Sequence, residues 1–141
     1  MTVRTATSVT KGDVLPGRTI SVTRATLVRY AGASLDFNPI HWDERTATSV
    51  GLPDVIAHGM FTMGAAATIA TEWAGDSGRV VSYTTKFVGP VVVPHDGGAE
   101  VILGGTVTAV DLETRRVTVE LTATCEGAKV LGRALAVLQL D

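Results

Sequence analysis

The stretch Gly59-Met60-Phe61-Thr62-Met63-Gly64-Ala65-Ala66-Ala67-Thr68-Ile69-Ala70-Thr71-Glu72-Trp73-Ala74 decides the fold. Its apolar and small residues sit at helical spacing around most of the circumference, and Gly75 suits the position just past a helix end. A helix that is apolar nearly all round is buried on most sides, and the small residues from Gly64 to Ala67 let neighbouring backbone come close. One such helix needs a sheet curled about it. The run is broken by Thr62, Thr68, Thr71 and Glu72, which sets it apart from the roughly 20 apolar residues of a membrane span.

Strands follow the helix. Residues 79–88 alternate imperfectly, Gly89-Pro90 interrupts, and Val91-Val92-Val93 continues the strand. Pro94 to Gly98 reads as a hairpin-type loop. Residues 99–110, 115–125 and 129–140 read as three further strands, separated by turns at 111–114 and at Glu126-Gly127. Short connections predict an antiparallel sheet.

Ahead of the helix, residues 1–13 are polar and end in a Lys11-Gly12-Asp13 turn. Residues 18–22 alternate as a strand, and Thr23 is placed to cap a helix over 24–33. Pro39 keeps Asn38 out of the α region, so Asn38 and Pro39 start a new short helix with Asp43 and Glu44 near its positive end. That helix ends before Gly51-Leu52-Pro53, and residues 54–58 form a connector. The reading is one α+β domain over residues 1–141, a curled antiparallel sheet wrapped around one long central helix. A single curled sheet leaves edges and part of the helix open, so pairing with a second subunit is expected.

With 45% hydrophobic and 18% charged residues, the chain can build a packed core. A net charge of −2 without a basic block gives no nucleic-acid face. The start, Met1-Thr2-Val3-Arg4, lacks the apolar segment of a secretion signal. The single cysteine, Cys125, forms no internal disulfide, which fits a reducing compartment. A cytoplasmic protein without membrane insertion is expected.

The densest polar chemistry lies in Ser34-Leu35-Asp36-Phe37-Asn38-Pro39-Ile40-His41. Taken alone, Asp-x-Asn-Pro is an ordinary turn and helix start, His41 a satisfied buried histidine and Asp36 a turn acceptor. The functional alternative is an acid/base pair, five residues apart across a proline-fixed turn. His58 reads as structural, holding the loop before the central helix. His95, in a glycine-rich turn, reads as solvated. Cys125 reads as a packing residue, and Met60 and Met63 chiefly as core. The three histidines lack metal-ligand spacing, and Gly104-Gly105 lies within a strand with no phosphate-binding helix after it. No metal or cofactor is expected.

Two motifs together choose between these alternatives. Tyr30-Ala31 followed by Ser34-x-Asp36-x-Asn38-Pro39-Ile40-His41, and then Ala57-His58-Gly59-Met60, resemble the signature of the MaoC-like (R)-specific enoyl hydratases and 3-hydroxyacyl dehydratases. The resemblance runs from the Gly12-Asp13 turn to the last strand. Asp36-x-Asn38-Pro39-Ile40-His41-Trp42-Asp43 and Ile56-Ala57-His58-Gly59-Met60-x-Thr62-Met63-Gly64 bring it nearest to the catalytic B subunits of mycobacterial-type (3R)-hydroxyacyl-carrier-protein dehydratases. The resemblance implies a single hot-dog fold. It implies that Asp36 and His41 are the catalytic pair, that Asn38 shapes their loop, and that the backbone N–H of Gly59 helps hold a thioester carbonyl oxygen. Pro94-His95-Asp96 departs from the Gly-Asp turn of many such proteins, which affects loop shape only.

The implied reaction is reversible dehydration of a (3R)-hydroxyacyl thioester to the trans-2-enoyl thioester. Removing the C2 proton builds enolate charge on the thioester oxygen, which fixed donors at a helix N-terminus stabilise. Histidine serves as base when neutral and as acid when protonated. The sequence does not assign which of Asp36 and His41 takes which proton. The implied partners are acyl thioesters of acyl carrier protein or coenzyme A, and a second hot-dog subunit, identical or related. Arg24, Arg29, Lys86, Arg115, Arg116 and Arg133 are candidates for a cationic cluster facing an acidic carrier. A hot-dog thioesterase and an acyl-binding subunit of a heterodimer remain alternatives. Against the first, Glu72 is the only carboxylate on the central helix. Against the second, both Asp36 and His41 are present.

Overall fold

A computed structural model describes residues 3–141; Met1 and Thr2, part of the expected signal-free start, lie outside the described residues. The first strand, β1, spans Val14–Val22. The helices α1, α2 and α3 span Arg24–Ser34, Glu44–Ser49 and Gly59–Ala74. The remaining strands are β2 (Val80–Phe87), β3 (Ala99–Asp111), β4 (Arg116–Cys125), β5 (Ala128–Lys129) and β6 (Leu131–Gln139). The strands pair antiparallel in the order β1-β3-β4-β6-β2, with the short β5 lying against β4. The sheet curls around α3, which touches β1, β2, β3, β4 and β6. This is the expected hot-dog arrangement. No helix among the described residues is long and apolar enough to cross a membrane.

Clean period-two alternation in β4 sends Val117, Val119, Leu121 and Ala123 inward, all almost fully buried. They meet the inner face of α3, where Ala66, Ile69, Ala70 and Ala74 are buried at helical spacing. The other side of the helix is open in part, as the curled-sheet reading expected: Met60 and Gly64 are exposed, and nothing lies within contact distance of a Cβ built on Gly64.

Other boundaries moved for identifiable reasons. β1 begins at Val14 rather than at residue 18 because it is an edge strand, paired only to β3, where Pro16 costs no ladder hydrogen bond. The register slips between Leu15 and Arg18, and a Cβ on Gly17 would lie 2.5 Å from the carbonyl oxygen of Leu103. The expected final strand is split at Val130, whose N–H bonds back to Ala123 O at 2.9 Å. The segment 94–98 is not a hairpin, since β2 and β3 are not neighbours: β4 and β6 lie between them in the sheet. Val91 to Val93 do not extend β2. They pair with the connector before α3 instead: Ala57 N donates to Val91 O and Val93 N to Val55 O, both at 2.9 Å. The short helix after Asn38 comes in two pieces, a 3-10 turn over Pro39–His41 and then α2. Asp43 is the N-cap of α2 rather than a first-turn acid, accepting from Arg45 N at 3.1 Å.

The strand-to-strand crossover ends at Gly98, with φ +65°, where an added Cβ would collide with the Val22 carbonyl oxygen. Gly98→Ala combines a left-handed backbone with a backbone collision. It is expected to lower unfolding free energy by about 2 kcal/mol or more, read as a lower urea midpoint. An unchanged midpoint would contradict the geometry.

Candidate active site

Leu35 ends α1 in the left-handed region, φ 62° and ψ 18°, and turns the chain sharply into the polar loop. Two consecutive side-chain caps then fix the loop. The Asp36 Oδ1 accepts the Asn38 N–H at 3.1 Å, and the Asn38 Oδ1 accepts the Ile40 N–H at 3.2 Å. Trp42 donates from Nε1 to Phe37 O at 3.0 Å and closes the loop from outside. Pro39 starts the 3-10 turn that carries His41 inward, where it is 7% exposed.

Around the loop, Arg24 fastens four segments. It donates to Val93 O at 2.7 Å and to Glu44 and Asp54 at 2.8 Å each. Arg24 is therefore structural and unavailable to a carrier. Of the other candidate cations, Lys86 and Arg133 share a shallow cleft of about 300 Å³ with Thr84 and Thr85. Arg116 instead reaches Gln139.

A cavity of about 720 Å³ opens between the loop, the head of α3 and the segment 87–91. Asp36, His41 and Gly59 all line it. Asn38 does not: its amide oxygen is used on the Ile40 N–H, so it acts on the loop and not on a ligand. Gly59 is the first residue of α3, so its N–H has no intrahelical partner. The Phe87 ring lies over it, 3.0 Å from where a Cβ would stand. Nothing local in the sequence singled out Phe87, because it reaches the site only through the pairing of β2 with β6.

His41 Nδ1 lies 2.6 Å from the carbonyl oxygen of Ile56. A carbonyl can only accept, so Nδ1 carries the proton and Nε2 is the basic nitrogen of the neutral ring. Burial holds the His41 pKa below the ordinary imidazole value. The Ile56 carbonyl works against that lowering, nearby His58 adds to it, and the Asp36 carboxylate opposes it. A base of this kind is fully present at neutral pH and is lost as pH falls through its folded pKa. Activity that depends on it should show an acidic limb in kcat/KM with an apparent pKa below about 6.5. A limb at or above that value would contradict the assignment. The same lowering means that the unfolded chain binds more protons there, so stability also falls on acidification below that range.

His58, read as structural, sits at the centre of this arrangement. It is 2% exposed and N-caps α3. Its Nε2 lies 3.0 Å from Asp36 O, and its ring stacks on His41 with centroids 3.7 Å apart and planes 21° apart. A carboxylate oxygen of Asp36 and one ring nitrogen from each histidine lie within 4.8 Å of one another. These are metal-ligating types that sequence spacing did not group. The stacking is unsuited to chelation, because an ion in line with one ring nitrogen would stand well out of the plane of the other ring. His95 is exposed beside Asp96, and burial raises the Cys125 thiol pKa, with Glu126 adding to the effect. Neither approaches the cavity.

The family model described as MaoC like domain matches residues 5–126. A solved MaoC-like dehydratase superposes with a TM-score of 0.95 and 40% identity over 99% of this chain and 43% of that one. The 3-hydroxyacyl-thioester dehydratase X of Mycobacterium tuberculosis is 38% identical over 89 residues, 63% of this chain and 31% of that protein. The (R)-specific enoyl-CoA hydratase of Rhodospirillum rubrum is 31% identical over 124 residues, 84% of this chain and 83% of that protein. The chain thus spans under half the length of the first two of these relatives.

Proposed function

Since the chain belongs to the MaoC-like domain family, we propose that it is a hydro-lyase that interconverts trans-2-enoyl and (3R)-hydroxyacyl thioesters. The observation that carries this reading is the His41 tautomer. A neutral imidazole with a basic Nε2 lines the same cavity as the Asp36 carboxylate and the free N–H at the head of α3.

In hydration, Asp36 holds a water through Oδ2, its Oδ1 being engaged by Asn38. His41 Nε2 takes one proton as the water oxygen bonds to C3, and the electron pair of the C2–C3 double bond moves to give an enolate. The Gly59 N–H and the positive end of α3 stabilise the charge on the thioester oxygen. The imidazolium then returns its proton to C2. Dehydration runs the same steps backwards, so His41 begins and ends neutral in either direction. The lowered His41 pKa suits that requirement.

The thioesterase alternative is disfavoured. Glu72, the only acid on α3, pairs with Arg18 at 2.9 Å and does not line the cavity. The acyl carrier is coenzyme A or acyl carrier protein. Incubation with crotonyl thioesters of both carriers should deplete the enoyl absorbance and yield the (3R)-hydroxyacyl product without free thiol. Release of thiol with the double bond intact would support a thioesterase instead.

A second hot-dog subunit, identical or related, fits the unprotected side of the molecule. Edge strand β1 is blunted by Pro16 and a register slip. Edge strand β2 carries no proline, although its register also shifts at Val80/Ser82 and at Thr84/Lys86, and Val81, Phe87 and Val88 on and beside it are each about half exposed. Met60 and Gly64 on α3 are also uncovered. Light scattering of the isolated chain should give a dimer; an inactive monomer rescued by a related subunit would identify a heterodimer.

A further inference from the structure

We infer that His58 is a positioning residue that locks the Asp36 loop, the His41 ring and the head of α3 into one unit. The inference rests on the proposed hydro-lyase reading. The three reactive groups come from separate stretches of chain: a loop, a 3-10 turn and a helix start. His58 touches all of them. Its Nε2–H donates to the carbonyl of Asp36 at 3.0 Å, its ring face lies on His41 at 3.7 Å, and its own carbonyl accepts from Phe61 N and Thr62 N at 3.1 and 3.4 Å to begin the turn headed by Gly59. Tyr30 meets the ring edge-to-face at 4.8 Å, and Phe61 braces Tyr30 at 5.5 Å. The imidazole thus packs against two rings, His41 and Tyr30.

A purely space-filling role does not account for an imidazole here. Nδ1 of His58 is buried with no hydrogen-bond partner among the described residues, which is a cost that an apolar ring would avoid. What only the imidazole supplies is the Nε2–H that holds the Asp36 peptide, together with a polar ring against His41. The titratable groups facing His58 are Asp36, His41 and Tyr30. His58 also opposes protonation of His41, whereas Asp36 favours it. The same residue therefore fixes where the base stands and helps to keep it unprotonated.

The test is His58→Phe, which keeps a flat ring between His41 and Tyr30 and removes the Nε2–H and the polar ring. Against wild type, kcat should fall by roughly 10²-fold, the effect of a misplacement of about 1 Å, with KM little changed. The acidic limb of kcat/KM should move to higher pH. A variant with wild-type kcat and an unmoved limb would reduce His58 to core packing and overturn the inference. Should His58→Phe fail to fold, ¹⁵N-histidine NMR of the wild-type protein at pH 8 decides: the inference requires the Nε2–H tautomer at His58 and the Nδ1–H tautomer at His41. The opposite or mixed tautomer at His58 would overturn it. Wild-type protein that hydrates no enoyl thioester would instead sink the hydro-lyase reading, and the NMR result would still stand or fall separately.

Discussion

His41→Ala is expected to lower kcat for enoyl thioester hydration by about 10²–10⁴-fold, the usual worth of a positioned acid/base group, with the fold retained. The side chain is buried and makes one hydrogen bond, to Ile56 O. That carbonyl lies beside an open cavity, where water can satisfy it after the truncation. Asp36→Asn makes the companion test with less disturbance. The amide keeps an oxygen for the Asn38 N–H, so the loop stays closed, and Asp36 is exposed, so stability should hardly change. Only the negative charge beside the water is removed. In the proposed mechanism the two groups act on one water, so the double variant should be about as slow as the worse single variant rather than showing the product of both losses. Initial rates from enoyl absorbance, with circular dichroism on the same samples, check this. Turnover within a few fold of wild type in either single variant would remove that residue from the chemistry.

Gly59→Pro is expected to cost about 10²–10³-fold in kcat, the loss seen when one oxyanion donor is deleted. Proline is well suited to the first position of a helix, where its missing N–H breaks no intrahelical bond. The preceding residue, His58, already has φ −60° and ψ 134°, the extended conformation that a following proline requires. The substitution thus removes the N–H while leaving α3 in place. Its ring also crowds Phe87, whose carbons are 3.0 Å from the Cβ position. Gly59→Ala controls for that crowding: it adds the same Cβ but keeps the N–H. Phe87 is half exposed and can turn aside, so the alanine variant should lose far less than the proline variant. The ratio of the two rates removes the Cβ crowding and reports the exchange of the N–H for the proline Cδ. Equal losses would mean that crowding, not the N–H, matters at Gly59.

The long helix was legible to the residue, from Gly59 to Ala74, because a buried helix and a glycine stop leave strong local marks. The first helix was legible through Thr23, which forms a reciprocal cap with Thr26. What escaped the sequence was set by pairing across the fold. Val91 to Val93 have the composition of a strand, yet they bond to residues 55–57, a pairing visible only in the folded chain. That part of α3 would stay open was expected from the single curled sheet, but which residues it exposes, Met60 and Gly64, followed only from the packing. In the site, Asp36, His41 and Gly59 were found by spacing and family resemblance, and all three line one cavity. The stack of His58 on His41 was not legible, because sixteen residues separate them and no periodicity connects them. The tautomer of His41 likewise depends on Ile56, which no motif marks as a partner.

The central claim is that one thioester lies between the Asp36–His41 pair and the head of α3. A crystal structure of Asp36→Asn soaked with crotonyl-coenzyme A tests it most directly. The account predicts the thioester oxygen about 2.7–3.1 Å from Gly59 N and C3 of the enoyl group facing His41 Nε2 and residue 36 across a gap that a single water fills. An acyl group bound with its carbonyl away from Gly59, or with C3 turned from His41, would contradict it.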